Sequence, residues 1–333
     1  MPSGVGAGVA TPIGTDPRRG RDSDAGPGPS DAANRHRLLA APRRSAMHVL
    51  VTGAAGGIGG GVARSLAAAG HDVLGVDRDA EGLAALPDAV ETAVADLRDE
   101  AAVRDLLADR PLDAVVSCIG GYEIASVEDT SAEAFRRQVE TNLTAVHVTV
   151  AAALPTLRER GGRVVVVGSM VGSVALPYHG AYSAAKAGLD GYVDALRREV
   201  APRGVDVALV EPGPVPTGFN ERAAAAVVSA GGKEASGEEA GGAEKSGEGA
   251  GDESPYADAY RAFEGYSPAA TDVETVVERV VTVTTADRPR TRYRVSRRAR
   301  WLPRLARVLP DRLYDRLVRA GLPGGLLWRL LRR

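Results

Sequence analysis

Short apolar runs alternate with helical stretches along the chain from Met47 onward. The run His48–Thr52 is apolar at nearly every position, as expected of a parallel strand buried on both faces. Similar or shorter runs recur at residues 73–76, 92–95, 113–117, 164–167, 205–210 and 291–295. Helical patterns lie between them at residues 62–69, 99–109, 132–160, about 180–203 and 271–285. This alternation predicts an α/β fold with a doubly wound parallel sheet of about seven strands.

The residues that could bind a ligand or take part in a reaction follow the carboxyl ends of these strands. Right-handed crossovers place all of those ends at one edge of a parallel sheet. We therefore expect one crevice to contain the following strand-end features: the glycine-rich turn after the first strand, Asp77, Asp96, Gly120, Ser169 and Thr217.

A glycine-rich turn, Thr52 to Gly59, stands between the first strand and the first helix. That context is required of a dinucleotide-binding turn, in which the helix N-terminus faces the pyrophosphate. Asp77 ends the next strand, where a carboxylate can accept the ribose hydroxyls. Its charge would repel a 2′-phosphate and so favours NAD, although Arg78 beside it could attract one. NAD is therefore preferred and NADP remains the alternative.

Ser169 follows the apolar run 164–167, and Tyr182 and Lys186 stand one helical turn apart. An ammonium beside a phenol favours phenolate, so we expect a lowered Tyr182 pKa and proton exchange near neutral pH without a metal. The Tyr-x3-Lys spacing alone is more often without function. We assign no catalytic role to His179, and we expect Cys118 to be a packed thiol rather than a redox centre.

Three segments depart from the alternating pattern. Residues 1–46 and the low-complexity insertion 223–254 are poor in large apolar side chains and are predicted to be disordered. Met47 is an alternative translation start, and a genuine tail is equally compatible with the sequence. Residues 297–333 are rich in arginine with leucines at helical spacing. This basic amphipathic tail is predicted either to pack on its own domain or a partner subunit, or to lie on an anionic membrane.

Composition limits the alternatives. Across 333 residues the net charge is −2, and no groove-reading motif accompanies the arginines, so nucleic acid is not expected as a partner. A single cysteine excludes an internal disulfide. No apolar run reaches the length of a membrane span. We expect a soluble, cytoplasmic protein, with peripheral contact to a membrane through the tail as an open possibility.

The combined motifs resemble the short-chain dehydrogenase/reductase family over residues 47–296, as one Rossmann-type domain of the shorter, dehydrogenase branch. The matching positions are Thr52, Gly53, Gly57, Ile58, Gly59, Asp96, Leu97, Asn142, Ser169, Tyr182, Lys186, Pro212, Gly213, Val215 and Thr217. One departure follows the fourth strand, where Ser117-Cys118-Ile119-Gly120 replaces the usual Asn-Asn-Ala-Gly. Gly120, which permits close approach of the cofactor, is kept.

The resemblance implies roles for these residues. Tyr182 is the general acid/base, Lys186 holds the nicotinamide ribose and lowers the Tyr182 pKa, Ser169 orients the substrate oxygen, and Asn142 supports a proton relay. Asp96 and Leu97 match adenine contacts, and Val215 and Thr217 match nicotinamide contacts. The implied reaction interconverts a secondary alcohol and a ketone with NAD(P). NADP-dependent 3-oxoacyl reduction and a cofactor-sensing scaffold without turnover remain alternatives. The substrate is unassigned, with a weak indication of lipophilic character, and a homo-oligomer, dimer or tetramer, is implied.

Overall fold

A computed structural model of the chain describes residues 46–215, 254–263 and 271–322. The predictions of disorder for residues 1–45 and most of 223–254 lie outside these ranges. The strands are β1 His48–Thr52, β2 Asp72–Asp77, β3 Val90–Val94, β4 Ala114–Ser117, β5 Arg163–Val167, β6 Asp206–Glu211 and β7 Arg292–Arg294. The helices are α1 Gly57–Ala68, α2 Ala80–Ala84, α3 Glu100–Leu107, α4 Ala132–Val139, α5 Ala145–Arg160, α6 Met170–Ser173, α7 Gly180–Val200, α8 Ala257–Phe263, α9 Val273–Thr285, α10 Arg297–Val308 and α11 Asp311–Gly321.

The seven strands form one sheet in the order β3-β2-β1-β4-β5-β6-β7, and every neighbouring pair is parallel. The order reverses direction between β1 and β4, which is where open α/β sheets form a ligand crevice. In register, Thr52 of β1 lies beside Ser117 of β4. The predicted doubly wound parallel sheet is confirmed.

Helices cover both faces of the sheet, and a separate apolar core lies on each face. On one face, buried residues of α3, α5 and α7, including Val103, Leu157 and Leu189, pack on the strands. On the other face, α1, α2 and α9 contribute Leu66, Leu83 and others to a second cluster. Because the strands are apolar on both sides, the continuous runs in the sequence correspond to this two-sided burial.

The structure differs from the predicted elements at one functionally relevant place. The helix expected over residues 132–160 is interrupted by a π-helical turn, Glu140–Thr144, between α4 and α5. The extra residue in such a turn changes the direction in which its side chains point, and π-turns are common at functional sites. Asn142 lies in this turn and is fully buried.

No helix among the residues that the structure describes is long and apolar enough to cross a membrane.

Candidate active site

The glycine-rich turn is closed by backbone contacts that leave no room for side chains. Gly53 has φ +71°, and its N–H donates to the Val76 carbonyl at 2.9 Å. A Cβ at Gly53 would lie 2.7 Å from the Cys118 carbonyl oxygen, and one at Gly59 would lie 2.1 Å from the Gly53 carbonyl oxygen. Glycine is therefore required at both positions, and the turn keeps the close backbone approach that a pyrophosphate needs.

The start of α1 offers unused hydrogen-bond donors to this turn. Gly56 is the N-cap and supplies no side-chain cap, so Gly57 and Ile58 begin the helix with backbone N–H groups that suit an anion. The hydroxyls of Thr52 and Ser117 are buried without a hydrogen-bond partner among the described residues. The glycine cradle, the helix N-terminus and these two hydroxyls at neighbouring strand ends fit a dinucleotide cofactor.

Asp77 lies at the end of β2, where the sequence predicts contact with the adenosine ribose. One carboxylate oxygen accepts from the Ala55 N–H at 3.1 Å and the other from the Asp79 N–H at 3.2 Å. These bonds fix the negative charge of Asp77 against the glycine turn. Arg78 follows it with an exposed side chain.

The two predicted adenine contacts have different surroundings. Asp96 pairs with Arg98 at 2.6 Å, and a hydrogen bond from that guanidinium holds the pKa of the Asp96 carboxyl below its usual range. The Leu97 side chain is buried in the core. Gly120 lies in the loop after β4.

Ser169, Tyr182 and Lys186 come together at the carboxyl end of β5. Ser169 is the N-cap of α6, and its hydroxyl also hydrogen-bonds to the Tyr182 side chain. Tyr182 and Lys186 lie on α7 and are both buried, and Lys186 Nζ is 5.8 Å from the centre of the Tyr182 ring. A hydroxyl, a phenol and an amine thus converge where a carbonyl oxygen could be held and protonated.

The expected lowering of the Tyr182 pKa is wrong for this structure. Burial raises the pKa of Tyr182 to about 12, and the Ser169 hydrogen bond opposes that rise only in part. Burial also lowers the pKa of Lys186 to about 8, although the nearby Asp190 carboxylate opposes that change. Desolvation therefore outweighs the pairing of phenol and ammonium, and Tyr182 is held as the neutral acid at pH 7.

Asn142 binds the loop that follows β4. Its amide nitrogen donates to the Gly121 carbonyl at 2.7 Å and to the Gln138 carbonyl at 2.9 Å. Its amide oxygen accepts from the Gly121 N–H at 3.3 Å. The π-helical turn thus aims Asn142 at the backbone beside Gly120, where it fixes one wall of the cofactor crevice.

The loop after β6 forms the opposite wall. The Met170 N–H donates to the Pro212 carbonyl at 3.0 Å, which joins this loop to the helix that Ser169 caps. A Cβ at Gly213 would collide with Ser296 Oγ. Val215 is buried, and Thr217 lies outside the described residues.

An aromatic wall beside Tyr182 was not predicted. The Tyr122 ring lies 5.0 Å from the Tyr182 ring and 5.3 Å from the His179 ring, centre to centre. His179 Nδ1 lies 2.7 Å from the Pro177 carbonyl, so Nδ1 carries the proton and Nε2 accepts from the Tyr122 hydroxyl at 2.8 Å. Burial lowers the pKa of His179, which keeps the imidazole neutral. His179 thus orients Tyr122.

Helix α8 and the loop before α4 extend this wall. Tyr178 has φ +64°, and its ring makes edge contacts with Tyr260 and Phe263 of α8. Tyr260 donates to the Asp129 carboxylate and accepts from the Ser126 N–H at 2.9 Å. No periodic pattern marks these aromatic residues in the sequence. The single available signal was the group of three tyrosines that directly follows the insertion, at positions 256, 260 and 266.

A buried ion-pair cluster lies next to Lys186 and to the helix that Ser169 caps. Glu211, fully buried, accepts from Arg292 at 2.9 Å, from Arg294 at 3.0 Å and from the Ser173 hydroxyl at 2.9 Å. Asp190, one turn after Lys186, also pairs with Arg292 at 2.9 Å. Since Ser173 lies on α6, the cluster ties the helix that Ser169 caps to β6 and β7.

Comparison with known proteins identifies relatives of this chain. A family model described as short chain dehydrogenase matches residues 47–227. A probable short-chain type dehydrogenase/reductase VdlC from Helicobacter pylori is 27% identical over 277 residues, covering 81% of this chain and 96% of the relative. Four other curated relatives match over a shorter stretch, in which the chain spans 58% to 65% of their length.

Solved structures with the same fold include two dehydrogenases. An oxidoreductase of the short chain dehydrogenase/reductase family from Burkholderia thailandensis is 30% identical with a TM-score of 0.59, covering 78% of this chain and 94% of that one. The closed form of a serine dehydrogenase complexed with NADP+ is 25% identical with a TM-score of 0.58, covering 74% of this chain and 94% of that one.

Proposed function

Because the chain belongs to the short-chain dehydrogenase family, we propose that it is a nicotinamide-dependent oxidoreductase that interconverts a secondary alcohol and a ketone. The observation that carries this proposal is the convergence of Ser169, Tyr182 and Lys186 at the strand end facing the glycine cradle. A scaffold without turnover would have no physical use for a buried amine beside a buried phenol.

In the proposed reaction each side chain has one task. The nicotinamide cofactor supplies or accepts the hydride. Tyr182 Oη donates its proton to the ketone oxygen, or accepts the alcohol proton in the reverse direction. Ser169 holds that oxygen. Lys186, largely ammonium at pH 7 with a pKa of about 8, stabilises the negative charge that develops on the phenol oxygen. Asn142 keeps the crevice wall in place and, as the family resemblance implies, supports the proton relay.

The mechanism is tested with Tyr182→Phe. The purified full-length variant should lose at least about 100-fold in kcat/KM across a panel of secondary alcohols and ketones, because general acid–base catalysis contributes that much or more. Tyr192→Phe on the same helix is the matched control, since its ring contacts His147 and lies away from Tyr182. Equal turnover by wild type and Tyr182→Phe would refute the mechanism. Binding of cofactor without turnover of any substrate would favour the scaffold alternative.

The proposed cofactor is NAD. The Asp77 carboxylate is fixed to the glycine turn by the Ala55 N–H, so a 2′-phosphate would meet its negative charge. The structural relative that binds NADP+ and the exposed Arg78 keep NADP-dependent carbonyl or 3-oxoacyl reduction as the second candidate. The dissociation constants for NAD and NADP distinguish the two candidate cofactors. NAD should bind more tightly than NADP to the wild type, and Asp77→Ser should reduce this difference in affinity. Tighter binding of NADP to the wild type would overturn the preference.

The proposed substrate is lipophilic, since Tyr122, Tyr178 and Phe263 line the region next to Tyr182. A screen of hydrophobic ketones and alcohols tests this.

We also propose a homo-oligomer that pairs through α4, α5 and α7, where Phe135 is 43% exposed. We propose a cytoplasmic location for the protein.

A further inference from the structure

Helix α10 has two faces with different surroundings. Its inner face carries Ala299, which is 1% exposed and packs with Met170, Val171 and Tyr182, and Leu302 packs against the same cluster. The helix begins at Ser296, whose hydroxyl caps it by accepting from the Ala299 N–H at 3.0 Å. Helix α10 therefore packs beside the start of α6 and belongs to the same buried cluster as Tyr182.

The outer face of α10 is apolar and has no cover among the described residues. Trp301 is 58% exposed, Leu305 36% and Val308 79%. At about 100° per residue, these three side chains fall within about 60° of each other, on the side of the helix opposite Ala299, with Leu302 about 90° from the centre of the stripe. A tryptophan and aliphatic side chains on an outward helix face are typical of a surface helix that lies in a membrane interface. On the following helix, Leu313 and Leu317 are also exposed.

Arginines surround this apolar stripe. Helices α10 and α11 together carry eight arginines and two aspartates. The ion pairs of the described residues involve none of the eight, and Arg304 instead lies over the Trp301 ring at 5.3 Å. On the helix, Arg297 and Arg304 border one side of the stripe and Arg298 borders the other. Guanidinium groups that pair with no carboxylate of the described residues, on both sides of an apolar stripe, complement anionic phosphate groups.

We infer that the outer face of α10, with the arginines that border it, docks on an anionic lipid bilayer and brings the site at Tyr182 to the membrane surface. A second copy of the chain fits this face poorly, because a two-fold contact would place arginine against arginine. Docking would let a ketone or alcohol dissolved in the bilayer reach the site, and this part of the inference rests on the proposed function. The docking itself does not.

Docking is tested on the full-length protein with vesicles of phosphatidylcholine, alone or with about 30% phosphatidylglycerol. The protein should sediment with the anionic vesicles only. In a Trp328→Phe background, Trp301 is the single tryptophan, and its fluorescence should shift to the blue on binding. Trp301→Ser should lose most of the binding, whereas Val94→Ser, an exposed valine on the edge strand β3, should bind as wild type does.

The contribution of charge is tested separately. Replacing Arg298 and Arg304 by serine should weaken partition by about fivefold for each arginine at low salt. The matched control replaces Arg158 and Arg203, which are exposed on α5 and on the turn after α7, and should leave partition unchanged. Equal binding to neutral and anionic vesicles, or to neither, would overturn the inference. So would a loss of oligomeric mass in Trp301→Ser without vesicles, which would assign the face to a second copy.

The proposed function and the proposed membrane docking can be refuted independently of each other. Tyr182→Phe should bind vesicles as wild type does, so loss of turnover leaves docking intact. Trp301→Ser should keep turnover of a short, water-soluble 2-alkanone but lose turnover of a long-chain 2-alkanone supplied in anionic vesicles. A response of Trp301 fluorescence to double-stranded DNA but not to vesicles would contradict membrane docking and assign the arginines to nucleic acid.

Discussion

Gly59→Ala tests whether the turn before α1 is as tightly closed as the structure shows. The added methyl would lie 2.1 Å from the Gly53 carbonyl oxygen and 2.7 Å from its carbonyl carbon, both backbone atoms. Contacts below 3.0 Å require something to shift. Gly53 cannot move freely, because its N–H is bonded to the Val76 carbonyl and its φ is already positive. The turn must therefore open by about 1 Å, and overpacking of this kind costs about 1 to 3 kcal/mol.

That cost is measured by thermal unfolding and by cofactor titration. For a domain of this size the unfolding temperature should fall by about 2 to 4 °C per kcal/mol. The cofactor should bind more weakly by about tenfold or more, which is about 1.4 kcal/mol, because the opened turn no longer fits the pyrophosphate. Gly191→Ala makes the same change in α7, where nothing lies within 4 Å of the new methyl group.

The unfolding temperature of the control variant should change in the opposite direction. A glycine in a helix interior is about 1 kcal/mol less favourable than alanine, so Gly191→Ala should raise the unfolding temperature and leave cofactor affinity unchanged. Gly56→Ala, whose methyl would lie 3.3 Å from the Gly53 carbonyl oxygen, should fall between the two. If Gly59→Ala were as stable as the wild type and bound the cofactor equally well, the inferred closure of the turn would be refuted.

Three further changes test other parts of the structure. Arg163→Met removes the buried guanidinium that bonds two carbonyls at the end of α9, at 3.1 and 2.6 Å, and should lower the free energy of unfolding by about 2 to 4 kcal/mol in urea titrations. Burial lowers the pKa of His179, so below about pH 6.5 the unfolded chain binds a proton that the folded chain does not. The free energy of unfolding should therefore fall as the pH falls, and it should fall less in His179→Gln. An identical pH dependence of the two proteins would contradict the burial of His179. Ketone reduction should decline as pH rises through about 8, where Lys186 loses its proton while Tyr182 keeps its own, and a flat kcat/KM profile up to pH 10 would contradict this assignment.

The sheet and the positions of most site residues were predictable because they follow from local patterns. The continuous apolar runs require burial on both faces, and parallel strands then place Asp77, Ser169 and the glycine turn at one edge. The predicted strands and longer helices occur in the predicted order with boundaries shifted by a few residues, whereas the short helices α2 and α6 were not predicted. The π-helical turn around Asn142 was not predictable, because it depends on bonds to Gly121, a residue brought close by the fold.

The pKa of Tyr182 was predicted wrongly for a similar reason. The sequence shows that Tyr182 and Lys186 lie on one helix face, but it does not show how much of each is buried. In the structure, burial raises the pKa of the phenol to about 12 and lowers that of the amine to about 8. Each shift favours the neutral form. The Asp190 carboxylate, one turn from Lys186, opposes the shift of the amine and so favours its charged form.

We propose that substrate choice depends on the segments with the weakest sequence patterns. The cofactor crevice is built by strand ends, which every β-α-β unit supplies in the same way. The wall beside Tyr182 instead comes from the loop with Tyr122, from Tyr178 and α8, and from α10, elements that join no regular layer of the fold. Of these, α10 combines an inner face in the buried cluster of Tyr182 with an exposed apolar and basic face. A change on its outer side that leaves turnover of small substrates intact and removes turnover of membrane-borne ones would therefore separate the chemistry of this protein from its choice of substrate.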